Sequence, residues 1–562
     1  MDAGAAAESV STTEPAAALE FVQVAFSGHS RAVDLGNRRA AASNLDAAFA
    51  LLAAAGITEA RLLTGAEAGA DRLAIEAWRA RGLGPVHTVR PFLDHRGDLD
   101  PSDLTTLLPG AASRAEGRSP HLAQARWLVA AADILVVFWS GQPPRGPGGT
   151  GDVVRLALEH GTPVLWVRPG AEAIRLIRPE RLDPGIGLLE LQRLLEAGGQ
   201  TLVAEATPAS VRAALLEQGL ETEAVGLLDA TLGPAPRPAR AYSLFRRTLG
   251  GRSRPGTAHP TPEDLAAEPG FISLSAVRGA AAMQARALAS IHRSHQLILL
   301  FIAILAAAAG STSALAPDLK PALVAGELLL ALLALGIWLG SERGERHRRW
   351  TAARKLAEDL RLERAAWVVG ISTAPHGANS ASSPAARRAR RRAGLPGGAF
   401  DAARVKAWGD WVVAELVTGQ VAYHRDQARV DGRISHRVHQ LENAIFAALI
   451  VVLFAYLATG AALLSRHGHP PFWLGGLVVM IGAVAPAIGA AGLALEATLS
   501  LGEQARRSRT LADQLDALRA EAGRLDTLER LQALARGALR LHRAQEDQWS
   551  AEVGRRRLFR GG

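Results

Sequence analysis

Four stretches of this chain are apolar for the whole width of a bilayer, and that feature limits its folds more than any other. Gln296–Ala316 carries no charge, Pro321–Ser341 carries only Glu327, and Asn443–Ser465 and Pro470–Leu495 again carry none. Each is close to the ~20 residues that a helix needs to cross hydrocarbon. The runs come in two pairs whose members are a few residues apart, so each pair predicts a tight hairpin with both ends on one side. SERGERHRRW follows the second run, RRARRR (Arg387–Arg392) lies between the pairs and EQARRSR follows the fourth, whereas the tips hold only Lys320 and Arg466. By the positive-inside tendency this predicts a multi-pass protein of the cell inner membrane, with the N-terminal region, central segment and C-terminus in the cytosol. Met1–Leu19 contains Glu8 and Glu14 and lacks a basic segment followed by an apolar one, which predicts a flexible tail rather than a secretory signal.

The first third reads differently. Short apolar runs (FVQVAF, RLLTG, VHTVRPF, ILVVFW, PVLWV) alternate with the amphipathic stretches Asn37–Ala55, Gly69–Arg81, Arg118–Ala131 and Thr150–His160. That alternation predicts a parallel sheet wrapped by helices. The expected fold is therefore an α/β Rossmann-like parallel-sheet domain followed by an all-α membrane domain, with four transmembrane helices in two hairpins and long cytosolic helices. Along the chain the expected order is a tail (1–19), the sheet domain (20–170) and a helical extension with linker (171–275). A first hairpin plus cytosolic helix (276–370), a basic flexible linker (371–400), a second hairpin plus cytosolic helices (401–550) and a basic tail (551–562) follow.

The two pairs read as copies. RKLAEDLRLERA (Arg354–Ala365) follows the first pair and RTLADQLDALRA (Arg509–Ala520) follows the second, matching at arginine, leucine, alanine and acidic positions. Trp350, Ala353, Ala357, Leu360 and Trp367 fall near a 3.5-residue period, as do Leu511, Leu515, Leu518, Ala522 and Leu525. Such helices require helical partners, either each other or those of another subunit.

Composition removes some chemistry. The chain has no cysteine, which excludes disulfides and thiolate metal sites, and its sixteen histidines are scattered, so no metal site is expected. A net charge of +9 points to an anionic neighbour: a phosphate ligand, a lipid headgroup or nucleic acid. Arg387–Arg392 lies beside the membrane runs without interleaved aromatics, which favours a topology signal or anionic lipid over nucleic acid.

In an open parallel sheet, ligands bind beyond the carboxyl ends of the strands. There the sequence places Ser27, Gly28, His29 and Arg31 after the first run, Thr64, Gly65, Gly69 and Asp71 after the second, and Pro91 and Phe92 after the third. Ser140 and Gly141 follow the fourth, and Gly148, Gly149, Thr150 and Asp152 open the next helix. Glycine lets backbone N–H groups approach an anion, and a helix's first turn favours phosphate. Structural roles compete with ligand binding: Thr150 and Asp152 suit helix caps, Asp71 a helix start, His29 an ordinary loop, and Trp139 and Trp166 a core.

At FSGHSR, LLTGAEAGADRLAIEAW, VHTVRPF, ADILVVFWSG and GGTGDVVRLALEHGTPVLWV the sequence resembles the SLOG superfamily of Rossmann-like domains. That group includes the DNA-processing protein A fold, the lonely-guy phosphoribohydrolases and the cytosolic nucleotide sensor of melastatin-type cation channels. The likeness spans roughly residues 20–170 and implies recognition of a nucleotide-derived signal such as an ADP-ribose derivative. The hydrolase branch carries PGGxGTxxE; this chain has PGGTGDVVR, with Asp152 in place of the threonine and Arg155 in place of the glutamate. That departure argues against catalysis, which needs a carboxylate within reach. Residues 276–550 resemble the SLATT families, two-transmembrane modules that accompany such sensors in bacterial conflict systems, through HRRWTAARKLAEDLR, PAIGAAGLALEATLSLGEQARRSRTLADQL and QEDQW.

Together these resemblances imply a membrane effector, licensed by its sensor to form a pore or breach the bilayer in antiviral defence. Four spans enclose little pore, so a homo-oligomer is expected. Glu327 is the candidate pore or gating carboxylate, with hydration near the headgroups as its alternative. Gly336, Gly340, Ala485, Gly489 and Ala494 offer small-residue faces, and Pro486 predicts a kink. The alternative function is a membrane-anchored nucleotide or N-glycoside hydrolase using Glu67, Asp71 or Asp152.

Overall fold

The computed structural model describes residues 21–29, 37–91, 103–108, 120–144, 146–171, 173–179, 193, 203–217, 235–253, 259–313, 317–343, 346–373, 383–464, 472–521 and 525–558. Through the first part run β1 (Val22–Gly28), α1 (Arg38–Ala54), β2 (Ala60–Thr64), α2 (Ala70–Ala80), β3 (Val86–Arg90), β4 (Leu104–Leu107), α3 (Pro120–Ala131), β5 (Ile134–Phe138), α4 (Thr150–Glu159) and β6 (Val164–Val167). The chain continues with β7 (Arg175–Ile177), β8 (Val203–Glu205) and α5 (Pro208–Glu217). The strands form one sheet in the order β8-β7-β6-β5-β1-β2-β3-β4-β9, the last being a short strand contributed from far downstream. All neighbours from β6 to β9 are parallel, and β7 and β8 add antiparallel to the other edge.

Unbroken apolar strands follow from burial on both faces. Val22, Val24 and Phe26 of β1, Ile134, Val136 and Phe138 of β5, and Leu165 and Val167 of β6 pack with Leu45, Phe49, Trp78 and Leu215 on one face. The alternate residues, Ala25, Leu135, Val137, Val164 and Trp166, pack with Trp127, Leu128, Val153 and Ala157 of α3 and α4 on the other. Helix α1 starts where its sequence allows a cap, the Asn37 side chain accepting from the Arg39 and Ala40 amides at 3.0 and 3.4 Å.

The remainder is mostly helical: α6 (Ala241–Gly250), α7 (Glu263–Ala267), α8 (Pro269–Thr312), α9 (Lys320–Arg343), α10 (Arg346–Val368), α11 (Pro384–Ala393), the strand β9 (Gly398–Ala399), α12 (Ala402–Val413), α13 (Gly419–Leu464), α14 (Phe472–Leu499), α15 (Leu501–Glu521) and α16 (Leu528–Leu558). Four of these helical stretches are long and apolar enough to cross a membrane. Their large apolar side chains point outward, with Leu329 67%, Val451 67% and Phe454 70% exposed. A water-soluble surface does not carry so large an apolar area. Helix α8 packs on α9, α10 and α14, and α13 packs on α14 and α15. Pro486 lies inside the continuous helix α14.

Two sequence expectations are revised. The sequence predicts a helical extension and linker after residue 170, yet β7 and β8 lengthen the sheet before α5 begins. Both are three-residue strands, too short to leave a period in the sequence. The basic stretch read as a flexible linker facing lipid is, over its described residues, the helix α11 followed by β9, with Arg388, Arg390 and Arg391 buried. Their compensating charges come from elsewhere. Arg391 is bonded through Nε to Asp133 Oδ1, just before β5, and Arg390 donates to Glu363 Oε2 at 3.3 Å and to the Ile371 carbonyl at 2.7 Å.

This seam welds the sheet to the helices. Gln23 Nε2 donates to the Arg391 carbonyl at 2.6 Å, and the Thr106 hydroxyl donates to the Pro396 carbonyl at 2.5 Å. The rings of Trp127, Phe400 and Trp408 follow one another at 5.1 and 5.2 Å. One apolar cluster runs from Leu135 and Val137 of the sheet through Trp367 and Trp411 to Leu515 and Leu531. The repeated segments of α10 and α15 thus bury their periodic residues Ala353, Leu360, Trp367, Leu511 and Leu515 within one chain; Ala522 lies outside the described residues.

Candidate ligand crevice

From β1 the chain moves outward through β2, β3 and β4, then returns to place β5 on the other side of β1. Connections therefore leave β1 and β5 in opposite directions, the reversal at whose carboxyl side open parallel sheets bind ligands. Ser27 and Gly28 end β1, His29 follows, and Ser140 and Gly141 follow β5; Gly28 is level with Phe138. Across the opening, the Ser140 amide donates to His29 Nε2 at 3.0 Å. An accepting Nε2 fixes His29 as a neutral ring protonated on Nδ1.

The end of β2 forms the adjoining wall. Thr64 donates to Asp71 Oδ2 at 3.0 Å, the Glu67 amide donates to the same oxygen at 3.3 Å, and the His29 carbonyl accepts from the Ala70 amide at 3.1 Å. Burial pushes the Asp71 carboxyl up to about 7, against the pull of the Thr64 hydroxyl and of the Glu67 and Gly28 amides. Gly65 and Gly69 lie between these partners, Gly69 heading α2. A β-carbon on Gly28 would stand 2.5 Å from that of Ala70, so close packing of β1 on α2 accounts for this glycine without a ligand.

At the third wall, Gly148 has φ +80° and its imagined β-carbon lies 2.3 Å from the His121 backbone, so only glycine lets this loop touch the start of α3. Asp152 Oδ2 accepts from the Gly148 amide at 2.9 Å, which makes Asp152 a loop cap. The Gly149 and Asp152 amides bond to the Gly146 and Gly149 carbonyls at 3.1 and 2.8 Å. The Thr150 and Gly151 amides have no acceptor among the described residues. Both N–H groups lie at the positive end of α4, where Thr150 is half-buried and Gly151 is buried against Pro144.

The sequence-derived residues thus divide. His29 and Ser140 are joined directly, as are Thr64 and Asp71, while Gly148, Gly149, Thr150 and Asp152 make one turn at the head of α4. Pro91 closes β3, two strands from the reversal, and Arg31 and Phe92 lie outside the described residues. Trp139 and Trp166 are core: both are buried, 5.6 Å apart, and the Trp166 indole N–H donates to the Trp139 carbonyl at 2.8 Å. Arg155, at the hydrolase glutamate position, pairs with Glu159 at 2.5 Å and Asp152 at 3.6 Å. Sequence reasoning missed His121 and Gln124. Gln124 braces β3 by donating to the Val89 carbonyl at 2.7 Å, and His121 lies 3.8 Å from Glu67; nothing in HLAQARW announces either role.

Among the described residues no group of histidine and acidic side chains is arranged to hold a metal. A scan against protein-family models and searches of curated proteins and of solved structures return no match for this chain.

Proposed function

We propose that this chain is a membrane effector whose sheet domain, Rossmann-like and of the SLOG kind, senses a phosphate-bearing, nucleotide-derived signal of the ADP-ribose class in the cytosol. Its apolar helices respond by oligomerising to form a pore or disrupt the inner membrane, in bacterial antiviral conflict. The observation that carries this reading is the reversal between β1 and β5, where the His29–Ser140 bond adjoins loops ending in the two open amides of α4. A ligand gates only if it binds one conformation more tightly than another, and the continuous core from sheet to helices offers a path for that difference.

In this reading α8–α9 and α13–α14 are two SLATT-like hairpins with their ends in the cytosol. Gly336 and Gly340 on α9 have no atom within 4 Å of a would-be β-carbon, which leaves a face for a second subunit. The Glu327 carboxylate lies about 3.5 Å from a β-carbon built on Gly310 of α8, between the two helices of the first pair, and serves as the gating group. The test is calorimetric titration of full-length protein in detergent with adenine nucleotides and linear and cyclic ADP-ribose. Binding lost on Gly149→Val supports the reading, and absence of binding across that panel refutes it.

One observation favours a second reading. The Asp71 proton is held to about pH 7, as a general acid requires. Release of ribose or free base by the full chain, abolished in Asp71→Asn, would establish the membrane-anchored hydrolase instead.

A further inference from the structure

At the opposite, amino edge of the sheet a partly open cavity of about 90 Å³ lies between the starts of β1, β5 and β6 and the helices α10 and α11. Three guanidinium groups line it, those of Arg387, Arg390 and Arg391, against two carboxylates, those of Asp133 and Glu363. Arg391 is bonded to Asp133 and Arg390 to Glu363, so both carboxylates are engaged. The Arg387 side chain makes no hydrogen bond or ion pair with a described residue, and its Nε is buried without an acceptor. In the same cavity Gln23 Oε1 is buried without a donor, although Gln23 Nε2 is bonded to the Arg391 carbonyl. The Thr162 hydroxyl completes the wall. The cavity therefore presents three guanidinium groups to two carboxylates, one of the three with no hydrogen bond from its side chain, together with the hydroxyls of Thr162 and Ser372 and one orphan acceptor.

We infer that this cavity is a binding site for free inorganic phosphate, distinct from the nucleotide crevice at the other edge. An arginine fork matches tetrahedral oxyanions, and here two phosphate oxygens accept from Arg387 and Thr162. Gln23 Oε1 asks for a donor, which a hydrogen phosphate supplies through its P–OH and a sulfate at neutral pH does not. The volume of about 90 Å³ admits a small tetrahedral ion. Bound there, the ion bridges the sheet to α11 and tightens the seam.

The experiment follows thermal unfolding and calorimetry of the full chain in detergent with inorganic phosphate, sulfate and glycerol phosphate at constant ionic strength. We expect a saturable stabilisation by phosphate, with sulfate at least about tenfold weaker, equivalent to about 1.4 kcal/mol. Glycerol phosphate, a stand-in for a lipid headgroup, is expected to give no shift. Arg387→Gln and Thr162→Val are each expected to remove most of the stabilisation by phosphate, while Arg392→Gln, at an exposed position of the same helix, retains it. Gly149→Val, which alters only the crevice, is also expected to retain it, so failure here is separable from failure of the nucleotide reading. Equal response to sulfate, tighter binding of glycerol phosphate, or a phosphate stabilisation undiminished in Arg387→Gln overturns the inference. If Arg387→Gln does not fold, Thr162→Val and the phosphate-to-sulfate ratio of the unaltered protein decide it.

Discussion

At the carboxyl edge of the sheet the contacts are local or join neighbouring strand ends: Asp152 to Gly148, Asp71 to Thr64 and Glu67, His29 to Ser140. At the amino edge the partners are hundreds of positions apart: Gln23 with the Arg391 carbonyl, Asp133 with Arg391. A loop held by its own carboxylate can exchange that partner for an incoming anion without disturbing the core. A seam held by buried ion pairs and packed indoles moves only as a block. The difference teaches that the two edges are held by different means, and on the proposed function a change at the first would be passed on as a rigid displacement at the second.

The comparison predicts unequal responses to substitution. The largest is expected at the seam: Asp133→Ala removes the carboxylate bonded to the buried Arg391, costing about 3–5 kcal/mol in denaturant unfolding. His29→Ala, at the exchangeable edge, is expected to cost only about 1 kcal/mol, the net worth of one hydrogen bond. Equal losses at both edges would erase the distinction.

Next is the pH dependence of the crevice. Folding holds the Asp71 proton up to about pH 7, whereas the unfolded chain releases it near 3.8. Between those values the folded state binds more protons, so stability falls as pH rises, by up to about 1.4 kcal/mol per pH unit. Above that window the effect is flat. Asp71→Asn keeps an oxygen to accept the same bonds and is expected to remove this slope, as thermal unfolding at about pH 5 and about pH 8 would reveal.

A smaller contrast separates the two apolar pairs. A β-carbon on Gly489 of α14 would meet the Phe446 ring at 2.9 Å, while one on Gly336 of α9 meets nothing. Gly489→Val is therefore expected to destabilise the chain by about 1–3 kcal/mol through overpacking. Gly336→Val should leave monomer stability alone and weaken self-association, measured by light scattering in detergent. The smallest effect is expected from Asp152→Asn, which removes a negative charge beside the open amides of α4 and should tighten nucleotide binding by a few fold. Weaker binding would show that Asp152 itself holds the ligand.

Much of this architecture was legible because the strands that matter are buried on both faces. FVQVAF and ILVVFW are apolar on both faces except at Gln23, and Asn37 and Gly149 mark helix starts that the chain uses. The four apolar runs were legible for the opposite reason, since lipid-length stretches have few other uses. What composition hid was partnership. The arginines of α11 look identical to a topology signal until Asp133 and Glu363 are seen to neutralise two of them. Strand β9 is two residues long and pairs with Thr106 and Leu107, some 290 positions away, so no local pattern could announce it. In the crevice, loop chemistry assigned residues to the carboxyl ends of the strands, where Ser27, Thr64 and Ser140 lie, but Gly28 proved to be a packing requirement, and His121 and Gln124 carried no signal.

The central claim is that a ligand at the carboxyl edge is felt by the membrane-facing helices through the seam. Hydrogen exchange of the full-length protein, with and without the tightest binder among the adenine nucleotides and ADP-ribose derivatives, tests it most directly. The account predicts protection of residues 140–152 together with altered exchange in α10 and α11, and loss of the second response but not the first in Asp133→Ala. Protection confined to the crevice in the unaltered protein, with α10 and α11 unmoved, would contradict it.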